Sequence, residues 1–149
     1  MEEKPKTIVD WDEEQKRIEA EYKRKLAELK KRKQDNAMVN KILTRGILPT
    51  LVLNIISVQP CNGNELSCKI SDITSGFWQP STGGIYPILK RFEKQGLVSG
   101  KWNDPDKRVK KIYTITQKGS EELGNQRESL INNLYETVGV LESIIKTLK

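Results

Sequence analysis

The chain of 149 residues contains no histidine, two cysteines (Cys61 and Cys68) and two methionines. Without histidine the commonest general base is missing, and so is the middle member of every Ser/His or Cys/His catalytic arrangement. A Cys/His zinc cluster is excluded for the same reason, and two cysteines alone make neither a disulfide framework nor a metal site. Ser81-Thr82-Gly83-Gly84 lacks the spacing of a phosphate-binding glycine loop. No catalytic residue, metal or cofactor is therefore assigned, and the chain is not expected to be an enzyme. No apolar run approaches the ~18 residues that span a bilayer, and the charged N-terminal stretch has no signal-peptide core. A cytoplasmic protein without a membrane partner is expected. The two thiols are read as reduced, partly buried small hydrophobes, with a redox switch between them as the alternative.

What the chain has in excess is positive charge, unevenly placed. Lys and Arg number 26 against 20 acidic residues, a net charge of +6. Residues 60–119 hold ten basic and five acidic residues, a balance of +5, whereas 120–149 hold three and five, a balance of −2. A local surplus of this kind is the electrostatic footprint that phosphate binding requires.

Its centre is the stretch from Phe77 to Val98. Ile85, Ile88, Leu89 and Phe92 fall at i, i+3, i+4 and i+7 of a helix, while Gly83, Tyr86, Lys90, Arg91 and Lys94 cluster on the other side. Ser81 is a good N-cap, and Gly96 before Leu97-Val98 is a good stop. Pro87 conflicts with a helix starting at Ser81, because its ring would meet the Gly83 carbonyl; the spacing predicts either a kink or a start nearer Gly84. Strands follow at 97–102 and 109–116 around Asn103-Asp104-Pro105-Asp106, with Lys101, Lys107, Arg108, Lys110 and Lys111 on the hairpin. Trp102 and Tyr113 are expected to pack this sheet onto the helices. A cationic helix joined to a cationic hairpin has the layout of a winged helix-turn-helix, and double-stranded DNA is the expected partner.

The remaining segments supply the scaffold. One long helix is predicted from Asp10 to Arg45, about 54 Å at ~1.5 Å per residue. Its stripe of Trp11, Ile18, Tyr22, Leu26, Leu29, Ala37 and Leu43, interrupted at Lys33 and Asn40, has a period nearer 3.67 than 3.5. The run Lys30-Lys31-Arg32-Lys33 is read first as a solvated face and second as a DNA contact. Leu48, Leu51, Val52, Ile55 and Ile56 form a core helix with Pro49 in its first turn, and Leu66, Ile70 and Ile73 repeat on the next, opened by Asn62 and Glu65 as a capping box. After Thr116, the cap of the last helix, Ile131, Val138 and Ile145 alternate in heptads with Leu134, Leu141 and Leu148, which favours two-stranded packing. These six residues are the expected dimer interface. The organisation read from the chain is an extension and long helix over 1–45, a DNA-binding domain over 46–119 and a dimerisation helix over 120–149. The fold class is mainly α with a small β-hairpin wing.

Arg45-Gly46-Ile47-Leu48, Gly63-Asn64-Glu65-Leu66, the run from Trp78 to Val98 and Tyr113-Thr114-Ile115-Thr116-Gln117-Lys118-Gly119 together resemble the PadR family of prokaryotic transcriptional regulators, over residues 45 to about 123. The resemblance implies a homodimeric winged-helix repressor, with Ser81, Thr82, Gly84, Tyr86 and Lys90 meeting DNA. Arg91, Lys107, Arg108, Lys110 and Lys111 would supply the salt-sensitive contacts to the backbone. It also implies that a small aromatic effector is conceivable near a dimer interface, but none is carried over, since residues 120–149 contain no Trp. Asn64 stands where the family usually has tyrosine, and the stretch before Gly46 is longer than the family's usual start. The competing reading is a coiled-coil interaction adaptor whose winged helix no longer reads DNA.

Overall fold

The computed structural model describes residues 10–149, apart from the side chains of 32–37. The start of the expected extension, and Arg32, Lys33 and Ala37 of the long helix, therefore lie outside the described residues or side chains. The chain divides into two compact units, Met1–Met38 and Val39–Lys149.

The first unit holds most of helix α1 (Trp11–Gly46). Asp10 starts it, its Oδ1 accepting from the backbone N–H of Asp12 at 3.1 Å. Asp12, Glu13 and Glu14 then occupy the first turn, where the helix dipole favours negative charge. Trp11, Ile18, Tyr22, Leu26 and Leu29 of the stripe are all exposed.

The second unit is built on α2 (Leu48–Val58), α3 (Gly63–Ile73), α4 (Thr82–Lys94), the antiparallel hairpin β1 (Val98–Trp102) and β2 (Lys111–Ile115), and α5 (Gln117–Leu148). Leu48, Val52, Leu53, Ile55 and Ile56 of α2 meet Leu66 and Ile70 of α3 and Ile85, Ile88, Leu89 and Phe92 of α4 in one core. Each such side chain contributes roughly 1.5–3 kcal/mol by leaving water. Two expectations need correction. Leu53, not Leu51, is fully buried on α2, because the core surrounds that helix on more than one side; Leu51 is only partly buried. Ile73 is exposed, since α3 reaches its end there, one turn beyond the core.

The last turns of α1 belong to this unit, with Val39 and Leu43 packed against the core. Asn40, which breaks the apolar stripe, accepts a hydrogen bond from the indole Nε1 of Trp78 at 3.0 Å. Trp78 is buried, so its N–H needs that partner, and a polar residue sits in the stripe to provide it.

The connections follow their local chemistry. Asn62 and Glu65 form the expected capping box on α3. Thr116 caps α5, its Oγ1 accepting from the Gly119 N–H at 3.0 Å. Gly96, at φ +74°, ends α4, and the Leu97 N–H returns to the Phe92 carbonyl at 2.8 Å. Gly119 has no alternative there: a Cβ would lie 2.0 Å from the Leu97 carbonyl oxygen. Cys61 is fully buried and exchanges backbone hydrogen bonds with Tyr113, which ties the middle of β2 to the α2–α3 loop; Cys68 is exposed on α3. β2 is shorter than expected because the chain is still turning at Arg108 (φ +47°), and Val109 remains exposed.

Candidate nucleic-acid interface

Helix α4 begins where Ser81 caps it, with the Gly84 N–H donating to Ser81 Oγ at 3.2 Å. The hydroxyl stays exposed, and its own hydrogen remains available to an outside acceptor. Pro87 lies inside the helix, which starts at Thr82 and not nearer Gly84. The bond from residue 87 to the Gly83 carbonyl is therefore missing, and Pro87 itself is exposed. The inner face of α4 is the core stripe already described. The outer face presents Gly83, Tyr86, Lys90 and Lys94 to solvent.

Tyr86 is held by its neighbour across the helix-turn-helix. Its ring lies against Gly63, the first residue of α3, where a Cβ would come within 2.9 Å of Tyr86 Cζ. The glycine makes room for the ring and leaves the phenol pointing into a cleft of about 530 Å³ between the helices and the hairpin. Lys90, Glu93, Trp102, Lys110 and Tyr113 are among its other walls.

Lys111 has a different environment from the other hairpin cations. Its Nζ donates to Glu93 Oε2 at 2.9 Å and lies 5.7 Å and 5.6 Å from the ring centroids of Trp102 and Tyr113. The side chain crosses over Gly100, where a Cβ would meet Lys111 Cε at 2.5 Å. Lys111 thus straps the hairpin to α4. Burial raises the pKa of the Tyr113 phenol, opposed by Lys111 and assisted by Glu93 and Tyr86.

The expected site residues separate into two groups. Tyr86, Lys90, Arg108, Lys110 and Lys111 line the one cleft. Ser81, Thr82, Gly84, Arg91 and Lys107 lie outside its lining; Ser81, Arg91 and Lys107 are exposed, and the Arg91 guanidinium sits 5.7 Å from the Phe92 ring. Trp102 corrects the expectation that it packs the sheet onto the helices. It shares the inner face with Val98 and Gly100, but at the far end of β1 that face has passed the core, so the indole is exposed in the cleft. The same alternation of two residues put Lys111 on the face of Tyr113, a signal that marked it as inward-facing from the sequence. Asn62 and Asn64, at the start of α3, also line the cleft; Asn64 is marked in the sequence only by the resemblance, as the position of the family's usual tyrosine.

A second surface lies along α5. Leu123 is buried at its start, and Leu130, Ile131 and Leu134 line an apolar groove of about 290 Å³ with Ile47 and Leu51. Beyond it Val138, Leu141, Ile145 and Leu148 of the heptads are exposed.

Three helices, a recognition-type helix with a cationic outer face and a two-stranded hairpin define a winged helix-turn-helix protein. The family model described as "Transcriptional regulator PadR-like family" matches residues 52–125. A PadR-like transcriptional regulator from Bacillus cereus is 36% identical, covering 66% of this chain and 94% of its own, with a TM-score of 0.53. A PadR family transcriptional regulator from Eggerthella lenta is 30% identical, covering 70% and 88%, with a TM-score of 0.55. The chain belongs to the PadR-like family of transcriptional regulators. The transcriptional regulator YqjI of Escherichia coli is 32% identical over 85 residues, which are 57% of this chain; the match spans only 40% of that relative's length.

Proposed function

We propose that this chain is a homodimeric repressor that reads operator DNA, with α4 in the major groove and the hairpin on the phosphate backbone. The observation that carries the reading is the convergence of Tyr86, Lys90, Arg108 and Lys110 on one open cleft between α4 and the wing. Lys90 and the Tyr86 hydroxyl would address base edges or phosphate from the helix, and Arg108 and Lys110 would hold the backbone beside it. The Ser81 and Thr82 hydroxyls and the N-terminus of α4 suit a phosphate oxygen. In this reading residues 46–119 form the DNA-binding part and 120–149 the dimerisation helix. Its exposed Val138, Leu141, Ile145 and Leu148 continue the seam begun at Ile131 and Leu134. Two-fold symmetry would place the half-sites about 34 Å, or a multiple, apart.

Selection of bound duplexes from a random pool at ~150 mM salt, where non-specific binding is suppressed, tests the reading. Recovery of a two-fold symmetric site is expected, and occupying that site upstream of a reporter should lower transcription in vitro. With six to ten phosphates neutralised per dimer, affinity should fall roughly a thousandfold or more between 50 and 200 mM salt. Lys90→Glu should abolish specific binding. Retention of wild-type affinity by that variant would remove α4 from the groove, and a pool yielding nothing above background would favour the interaction adaptor.

A further inference from the structure

Helix α1 carries an apolar stripe that the first unit leaves uncovered. Trp11, Ile18, Tyr22, Leu26 and Leu29 are exposed, from 38% at Leu26 to 77% at Trp11. Their positions fit an 11-residue repeat, which makes 3.67 residues per turn. The heptads of α5 follow 3.5 residues per turn. Over 18 residues the two stripes would drift apart by roughly 85°, so α5 is a poor match for α1, whereas a second α1 matches it in period.

Charge decides the direction. Residues 10–21 contain six acidic residues and two basic ones, a balance of −4, whereas 22–31 contain five basic and one acidic, a balance of +4. Two such helices side by side in parallel would set like against like over their whole length. Antiparallel, they set each acidic half against a basic half.

We propose that α1 pairs with the α1 of a second copy of this chain, antiparallel, about a two-fold axis at Tyr22. The register follows from the centre of the stripe, because Ile18, Tyr22 and Leu26 map onto one another when residue i faces residue 44 − i, with Leu29 then opposite Gln15 of the partner subunit. Tyr22 then meets its own copy, and Ile18 meets Leu26 of the partner subunit twice. On the flanks, Asp12 falls beside Lys30 of the partner subunit, Glu19 beside Lys23 of the partner subunit and Glu21 beside Lys25 of the partner subunit. Each of these pairs is offset by two residues, ~3 Å along the axis. Glu21 and Lys25 already pair within one helix at 3.6 Å, but both side chains are more than half exposed, so that contact is weak and exchangeable. The pairing rests on α1 alone and is separate from the seam proposed for α5.

Cysteine cross-linking in the full chain tests it. Cys68, the exposed thiol, is replaced by Ser in every variant, and Cys61 is left in place because it is fully buried. Chains with Ile18→Cys and chains with Leu26→Cys, differently tagged, are mixed, allowed to exchange and oxidised. The heterodimer should form about tenfold faster than either homodimer, because only partners within disulfide reach react readily and the two Ile18 positions would lie ~12 Å apart along the axis. Glu19→Lys should slow the cross-link, and adding Lys23→Glu should restore it. Faster self-linking of Ile18→Cys would mean a parallel pair and overturn the proposal. So would faster reaction of Ile18→Cys with a Leu141→Cys chain, or heterodimers no faster than those from Ala20→Cys on the outer face.

Discussion

Helices α4 and α5 both repeat apolar residues at helical spacing, and they dispose of them differently. In α4, Ile85, Ile88, Leu89 and Phe92 are all buried against α2 and α3 of the same chain. In α5 only Gly119 and Leu123 are buried, and the heptads from Val138 onward stand in solvent. The periodicity reports which face of a helix will be buried and says nothing about whose atoms bury it. What separates the two is length: α4, at 13 residues, ends where the core ends, whereas α5, at 32 residues, runs on past it.

Paired truncations sharpen that contrast most. Leu89→Ala should cost about 3 kcal/mol in urea unfolding, the usual range for a fully buried leucine, whatever the protein concentration. Leu141→Ala should instead give a loss that shrinks on dilution, because a subunit contact stabilises by mass action. A concentration-independent loss at Leu141 would place that side chain in the chain's own core and break the distinction. Next in size is Gly119→Ala, at the point where α5 leaves the domain. With the Leu97 oxygen and Ile115 in the way, the new methyl should cost about 1–3 kcal/mol, seen as a lower Tm.

Smaller effects follow where the two helices meet the hairpin. Thr116→Ala removes the cap of α5 and should cost about 1 kcal/mol, with Thr116→Asn close to wild type in the same denaturation experiment. Glu93→Gln breaks the strap between α4 and Lys111. Because both side chains are partly exposed, it should cost under about 1 kcal/mol in stability. Its clearer readout is the wing: release of Lys111 should increase amide hydrogen exchange in β1 and β2 and leave α2 unchanged.

Much of this arrangement is legible in the amino-acid sequence. Ser81, Asn62, Gly96 and Thr116 act as the caps and stops that their side chains and spacing announce, because those signals are local and compete with nothing distant. Misreadings arose where a residue's fate depended on another element's edge. Trp102 reads as a core residue by type, yet it lies at the end of β1 beyond the core and lines the open cleft. Ile73 had the right spacing and lay one turn too far. The pairing of Lys111 with Glu93, 18 residues away, is likewise not legible in the local run of cations.

The amino-acid sequence by itself determined the order of helices and strands, the faces that must be dry and the concentration of positive charge between Lys90 and Lys111. Those properties are set by periodicity, capping and side-chain charge, which act over a few residues. Only the tertiary structure decided which cations stay free, which tryptophan is buried and which apolar stripe remains uncovered. Each of these depends on where one element stops relative to its neighbour. Asn40 shows the dependence most directly: a break in a stripe when read along the chain, it is the acceptor for the Trp78 indole once the helices are packed.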